Sequence, residues 1–257
     1  MSAEEGRRAV VTGAERGIGR ATARLLRRRG YRVAYLDLDQ VKADRAARED
    51  AEHGGEGIGL AADVSDEASV RAAMDEVGEA WGGLDALVCN AGICTLDLAV
   101  DLSVEDWDRV LGVNLRGPWL CAKHARPLMG PGSAIVNVSS QAARRAQRFT
   151  AHYSASKMGL IGLTRALALE FAPDVRVNAV SPGTIDTDMI QHEVSWRVGR
   201  GHDADGDAIV RDWLDRIPLG RFQQPGQIAS VIAFLASADA GVITGDTLNA
   251  SGGAVME

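Results

Sequence analysis

Between Arg8 and Ala250 the chain switches repeatedly between short β-branched runs and longer amphipathic ones, and this alternation constrains the fold more than any motif does. The runs Arg8 to Thr12, Arg32 to Leu36, Gly57 to Ala61, Leu84 to Cys89, Ala134 to Ser139, Val175 to Val180 and Thr247 to Ala250 read as strands. The stretches between them are about ten residues or longer and read as helices. Strand, helix, strand in strict succession requires right-handed crossovers, hence parallel pairing with helices over both faces. The expected fold class is therefore α/β, a doubly wound parallel sheet of about seven strands. A ligand of such a sheet lies beyond the carboxyl ends of the strands, where the strand order reverses. With 257 residues, 46% hydrophobic content and no internal repeat or low-complexity linker, one domain over residues 1–257 is expected.

The net charge of −7 offers no electrostatic footprint for nucleic acid or an anionic membrane. No apolar run is long enough to span a bilayer, and the charged N-terminus lacks a signal peptide's apolar core, so a cytoplasmic protein is expected. Cys89, Cys94 and Cys121 are odd in number and lack metal-ligand spacing; they read as reduced thiols packed as small apolar residues.

The first strand runs straight into Thr12-Gly13-Ala14-Glu15-Arg16-Gly17-Ile18-Gly19, which opens a helix extending to about Arg29. Glycines there permit a tight turn and bring bare backbone amides to a diphosphate at the positive end of the helix. The spacing is Gly-x-x-x-Gly-x-Gly, and a glycine turn between strand and helix is common in its own right. An acid, Asp37, follows eighteen positions after Gly19, at the end of the second strand. A carboxylate at that point accepts hydrogen bonds from ribose hydroxyls and repels a phosphate, which favours NAD over NADP. Arg16 argues the other way, since a guanidinium beside the loop can meet a 2′-phosphate. Asp37 weighs more, and the expected cofactor contacts here are Gly13, Arg16, Gly17, Ile18, Gly19, Asp37 and Leu38. Asp63 and Val64 end the third strand, where a carboxylate can hold the adenine amino group and an apolar side chain can cover the ring.

Strand four ends in Asn90-Ala91-Gly92, small enough for a flat cofactor to lie against the backbone. The following helix, about Val104 to Met129, contains Pro118, which has no amide hydrogen to give the Asn114 carbonyl, so a bend is expected there. A freed carbonyl can hold a water. Tyr153 and Lys157 are four apart in a run, Ala151 to Phe171, that reads as helix, so their polar ends share a face. An ammonium beside a phenol favours the phenolate and lowers its pKa, making Tyr153 a proton donor and acceptor for a carbonyl or alcohol. An isolated Tyr-x-x-x-Lys also fits a solvated helix face. Ser140 lies thirteen residues before Tyr153.

Taken together, Gly13, Gly17, Gly19, Asn90-Ala91-Gly92, Asn114, Ser140, Tyr153, Lys157 and Pro182-Gly183 resemble the short-chain dehydrogenase/reductase family over nearly the whole chain. The resemblance implies a Rossmann-like fold and a catalytic set of Asn114, Ser140, Tyr153 and Lys157. In it Tyr153 is the general acid/base, Ser140 steadies the substrate oxygen, and Lys157 lowers the phenol's pKa and binds the nicotinamide ribose. Asn114 holds, through its carbonyl, a water that links Lys157 to solvent. Pro182, Gly183, Ile185 and Thr187 pass the nicotinamide, with Ile185 backbone at the carboxamide and Thr187 at the carboxamide or diphosphate. Ser140, Tyr153 and Gln147 are the expected substrate contacts. Family analogy also implies a homotetramer, through the helices around Asn114 and Tyr153 and the final segment, Gly245 to Gly253.

Arg144, Arg145 and Arg148 on the loop between Ser140 and Tyr153 suit an anionic or hydroxyl-rich substrate, but a surface or subunit interface accommodates them better. Residues 188–219 read as a substrate lid, with His192, Trp196 and His202 as pocket candidates. His202, Asp203, Asp205 and Asp207 fit no ligand spacing, and no metal is expected. The expected activity is NAD-dependent interconversion of a secondary alcohol and its ketone on a polyol, sugar or hydroxy acid. An NADPH-dependent carbonyl or 3-oxoacyl reductase is the nearer rival, and a non-catalytic dinucleotide-binding sensor the rival of another class.

Overall fold

The computed structural model describes residues 6–186, 188–203 and 205–256. Its strands are β1 (Arg8–Thr12), β2 (Arg32–Asp37), β3 (Gly57–Ala61), β4 (Leu84–Cys89), β5 (Met129–Val138), β6 (Val175–Pro182) and β7 (Thr247–Ala250). They form one sheet in the order β3-β2-β1-β4-β5-β6-β7, parallel throughout. The chain leaves β3 at one edge and returns as β4 beside β1, so the order reverses between β1 and β4. Both faces are buried, which is why these strands are almost wholly apolar instead of alternating.

One face packs on α3 (Glu67–Trp81), α5 (Gly117–Ala125) and α6 (Ala151–Phe171), through Val70, Met74, Leu120, Leu167 and their neighbours. The other packs on α1 (Gly17–Arg28), α2 (Gln40–Glu49) and α9 (Pro225–Ala236), through Leu26, Ala46, Ile228, Ile232 and Leu235. The expected Rossmann-like, doubly wound sheet is thus observed. Helices α4 (Val104–Leu111), α7 (Asp188–Gly199) and α8 (Gly206–Asp215) complete the set used below.

The long helix expected from Val104 to Met129 is in fact broken twice. After α4, residues Gly112–Arg116 form one π turn, in which the Gly117 N–H reaches back five residues to the Gly112 carbonyl. Pro118 stands at the start of α5, so the bend falls where its missing amide places it. The second break comes earlier than expected. Pro127 ends the helix at Ala125, a single 3₁₀ turn follows, and Met129 is already in β5, pairing with Leu84.

Among the described residues no helix is long and apolar enough to cross a membrane.

Candidate active site

The switch point is bolted together by two residues from neighbouring strands. Buried Thr12, the last residue of β1, accepts at Oγ1 from the backbone N–H of Asn90 and of Ala91, both at 3.0 Å. Asn90, just beyond β4, donates its side-chain amide to the carbonyls of Thr12 (2.9 Å) and Gly13 (3.1 Å). Asn90, expected as part of a cofactor wall, therefore has its amide committed to holding the glycine loop. Thr12 escaped the sequence reading as a functional residue, although a hydroxyl ending the first strand was a usable signal.

Gly13 and Gly17 have φ of +64° and +58°, a region that disfavours a side chain. At Gly19 the constraint is space, because a Cβ there would fall on the Gly13 carbonyl. Helices α2, α3 and α4 are capped by Asp39, Asp66 and Ser103, whereas α1 begins at Arg16 with no side-chain cap. The first-turn amides of α1, from Gly17, Ile18 and Gly19, therefore lie against a cradle that a diphosphate fits. Arg16 is exposed beside it.

Asp37 closes the same end of the sheet. One carboxylate oxygen accepts from the Glu15 N–H at 3.0 Å and the other from the Leu38 N–H at 2.9 Å, which fixes the carboxylate at the tip of β2. Leu38 beside it is 71% exposed, an apolar surface at the place where an adenosine would lie. Asp63 gives one oxygen to the turn after β3, accepting from the Ser65 N–H (2.8 Å) and hydroxyl (2.7 Å). Val64 is 7% exposed and packs against Gly117, where an added Cβ would come within 3.0 Å of Val64 Cγ2. Little of Val64 is left to cover a ring.

The expected catalytic set converges at the carboxyl ends of β4 and β5. Lys157 is buried, its Nζ donates to the Val138 carbonyl at 2.9 Å, and it lies 5.6 Å from the centre of the Tyr153 ring. Ser139 anchors the same helical turn by donating to the Lys157 carbonyl. Ser140 lies close enough to the Tyr153 phenol to favour its ionised form, and Ser140 Oγ accepts from the Ala142 N–H at 3.1 Å. Asn114, fully buried in the π turn, accepts from the Ile93 N–H and donates to the Ile93 carbonyl, both at 2.9 Å. It donates further to Ser156 Oγ at 3.1 Å, while the Ser156 hydroxyl donates to the Tyr153 carbonyl. The Asn114 side chain thus staples the loop after β4 to α6. Bare Gly92 borders the same space, since a Cβ there would lie 3.3 Å from both Asn114 Oδ1 and Lys157 Nζ.

The electrostatics of the pair differ from the sequence expectation. Burial pushes the Tyr153 phenol above its ordinary value, the charges of Cys94 and Glu193 push the same way, and the nearby Ser140 hydroxyl only partly opposes them. Burial also pushes the Lys157 ammonium down to about 8. The expected lowering of the phenol by Lys157 is not seen, because removal from water disfavours both charged forms. Cys94, unlike buried Cys89 and Cys121, borders this site, and its thiol is pushed up to about 12, chiefly by burial. His152, buried beside Tyr153, shares a 2.6 Å hydrogen bond with Thr95 Oγ1 and so adds a second tie between α6 and the loop after β4.

Past β6, the Gly183 N–H donates to the Ala250 carbonyl, and a Cβ on Gly183 would lie 2.8 Å from Ser251 Cα. Pro182 pairs with Ala250, and buried Ile185 bridges to Gln223. Thr187 lies outside the described residues. Gln147 is exposed, and only its carbonyl is engaged, by the Thr150 hydroxyl. Arg144 and Arg145 reach the carbonyls of Thr247 and Ala254, and Arg148 lies over the Phe149 ring. The expected lid segment folds as α7 and α8. Trp196 and His202 stack together and against Phe149, with ring centres 4.6–5.2 Å apart, while His192 is exposed. Asp203 pairs with Arg197 at 2.8 Å, and Asp205 caps α8.

A family model described as enoyl-(acyl carrier protein) reductase matches residues 13–255. The chain is 42% identical to a cis-4-hydroxycyclohexanecarboxylate dehydrogenase of Sinomonas cyclohexanicum, over 95% of each chain. It is 39% identical to a 3-oxoacyl-(acyl-carrier-protein) reductase of Staphylococcus aureus, over 96% of this chain and 98% of that one. The solved structure of an NAD+-bound xylitol dehydrogenase superimposes with a TM-score of 0.93 at 30% identity, over 97% of this chain and 99% of that one. With the glycine cradle, the Ser140, Tyr153 and Lys157 cluster and relatives of this extent in agreement, the chain belongs to the short-chain dehydrogenase/reductase family and is an oxidoreductase acting on CH–OH groups.

Proposed function

We propose that the protein interconverts a small polar secondary alcohol and its ketone with NAD, Tyr153 acting as general acid/base. The observation that carries this reading is buried Lys157, held at the Val138 carbonyl 5.6 Å from the centre of the Tyr153 ring with Ser140 beside the phenol, at the strand ends where the glycine cradle opens. Gly13, Gly17, Ile18, Gly19, Asp37 and Leu38 would hold the adenosine and diphosphate. Asn90-Ala91-Gly92, Lys157 and the Pro182-Gly183-Ile185 turn would flank the nicotinamide ribose and ring. The dinucleotide, when bound, supplies the hydride acceptor or donor.

The chain's own residues supply position and protons. Ser140 orients the substrate oxygen toward the phenol, and Tyr153 takes the proton from the alcohol or returns it to the carbonyl. Lys157, held at the Val138 carbonyl, would bind the ribose hydroxyls and keep a positive charge beside the oxygen that becomes negative. Asn114 positions that space by fixing Ile93 and Ser156.

NAD is favoured over NADP by the fixed Asp37 carboxylate, whose charge opposes a 2′-phosphate. A homotetramer is supported by two apolar exposures: the groove of Leu111, Leu115, Trp119 and Leu163 along α4 to α6, and the surface of Leu219 and Val231 beside β7. The test is a screen of polyols, hydroxy acids and 3-oxoacyl thioesters with both cofactors, followed at the nicotinamide absorbance. Turnover of an alcohol with NAD, abolished in Tyr153→Phe while cofactor still binds, is the expected result. Preference for NADPH and an oxoacyl thioester would move the protein to the reductase class. A Tyr153→Phe protein of undiminished biological activity would favour a sensor.

A further inference from the structure

We propose that Glu193 of the lid is the substrate-recognising group of this site, a carboxylate that accepts a hydroxyl of an uncharged polyol or sugar and disfavours a carboxylate-bearing alcohol. The inference rests on the dehydrogenase reading above and narrows its substrate class. It starts from helical geometry. Glu193, Trp196 and Arg197 are at positions i, i+3 and i+4 of α7 and so share one face. Trp196 packs edge-on against Phe149 with ring centres 5.2 Å apart, and the Arg197 guanidinium lies 5.8 Å from the Phe149 ring and 5.7 Å from the Trp213 ring. Phe149, four residues before Tyr153, holds an unusual φ of +69° and accepts at its carbonyl from the Asp97 N–H of the loop that carries Cys94. The face of α7 that bears Glu193 is therefore docked on the segment leading into the catalytic helix.

Burial is the second observation. The Glu193 side chain is 13% exposed, and its paired cation is Arg197 at 3.5 Å, which is itself held more tightly by Asp203 at 2.8 Å. One loosely paired carboxylate is thus kept mostly out of water, and burial raises its pKa. Its charge is felt on both sides of the reaction space, at the Tyr153 phenol and at the Cys94 thiol. Among the described residues, Tyr153 from α6, Cys94 from the loop after β4 and Arg197, itself paired with Asp203, are the charged or titratable groups that interact with it. A second carboxylate brought by a substrate would lie in the same poorly solvated space, and like charges there repel strongly. A hydroxyl, by contrast, offers a donor to a charged acceptor, one of the stronger hydrogen bonds available.

The experiment compares xylitol and cis-4-hydroxycyclohexanecarboxylate as substrates with NAD, for the full-length protein and for Glu193→Gln. Gln keeps the shape and removes the charge. The expected wild-type preference is for the polyol. In Glu193→Gln the polyol's kcat/KM falls about tenfold to a hundredfold, the range of a hydrogen bond to a charged group, with the loss carried by KM. The hydroxy acid's kcat/KM rises, so the ratio of the two inverts. Asp205→Ala is the control for lid position, because it removes the cap of α8 without touching Glu193 or Arg197; it should change both substrates in the same proportion. A wild-type enzyme that prefers the hydroxy acid, or a Glu193→Gln enzyme with an unchanged ratio, overturns the proposal and leaves the dehydrogenase reading intact. Absence of turnover with every alcohol and ketone overturns that reading itself.

Discussion

Replacing Gly19 with Ala tests how the cofactor cradle is built. The added Cβ would overlap the Gly13 carbonyl and lie 2.5 Å from Asn90 Nδ2. Neither neighbour is a flexible side-chain end: one is backbone, and the other is an amide fixed by hydrogen bonds of 2.9 and 3.1 Å to Thr12 and Gly13. The loop must therefore open. Overpacking a tight site costs about 1–3 kcal/mol, and losing the two Asn90 hydrogen bonds costs about 1 kcal/mol each. The entropy gained by removing a glycine from the unfolded chain returns about 0.4–1 kcal/mol. The net expectation is a loss of about 2–4 kcal/mol, a fall in Tm on the order of 10 °C for a chain of this size. Gly17→Ala is the comparison: a Cβ there meets nothing within 4 Å, and its φ of +58° is the sole obstacle, worth roughly 1–2 kcal/mol. Thermal melts at one protein concentration, with and without NAD, measure both. Gly19→Ala should melt well below Gly17→Ala and gain less from the cofactor. A Gly19→Ala protein melting at or above Gly17→Ala would refute the steric account of the loop.

Asp37→Ser removes the charge that opposes a 2′-phosphate, and the ratio of kcat/KM for NADP to that for NAD should rise by roughly tenfold to a hundredfold; an unchanged ratio would assign cofactor choice elsewhere. Asn114→Ala strands the Ile93 N–H and carbonyl and should cost about 2–4 kcal/mol in denaturant unfolding, because buried backbone groups lose their partners. Lys157 gives a pH-dependent signature. Its folded pKa of about 8 lies below the ordinary lysine value, so between about pH 8 and 10 the unfolded chain binds more protons than the folded one. Stability attributable to Lys157 therefore rises with pH across that window, and Lys157→Met should lack the rise; equal slopes for the two proteins would contradict it.

How far the sequence discloses the molecule depends on the distance over which each feature is decided. The strands are legible because a strand buried on both faces must be apolar throughout, and α6 matches its expected span of Ala151–Phe171. The N-terminal end of β5 is hidden, because Met129-Gly-Pro-Gly-Ser has no strand character of its own and is drawn into the sheet by pairing with β4 and β6. Pro127 was a readable stop signal that the hydrophobic pattern around it obscured. The spacing of Ser140, Tyr153 and Lys157 places the chemistry, but the Thr12–Asn90 brace joins residues 78 apart and has no local signature. In the lid, residue type drew attention to His192, which is exposed, while the helical face that docks carries Glu193.

Burial, which no spacing encodes, decides the electrostatics of the site. Removal from water favours both the neutral phenol of Tyr153 and the neutral amine of Lys157. As pH rises, the first proton leaves the ammonium and not the phenol. A phenolate can form only where compensating positive charge or hydrogen-bond donation arrives with the reacting molecules. The Ser140 hydroxyl beside the phenol opposes the effect of burial. This ordering restrains Tyr153 from ionising idly in a closed site. The negative charge of Glu193, loosely paired with Arg197, acts in the same direction and favours the protonated phenol.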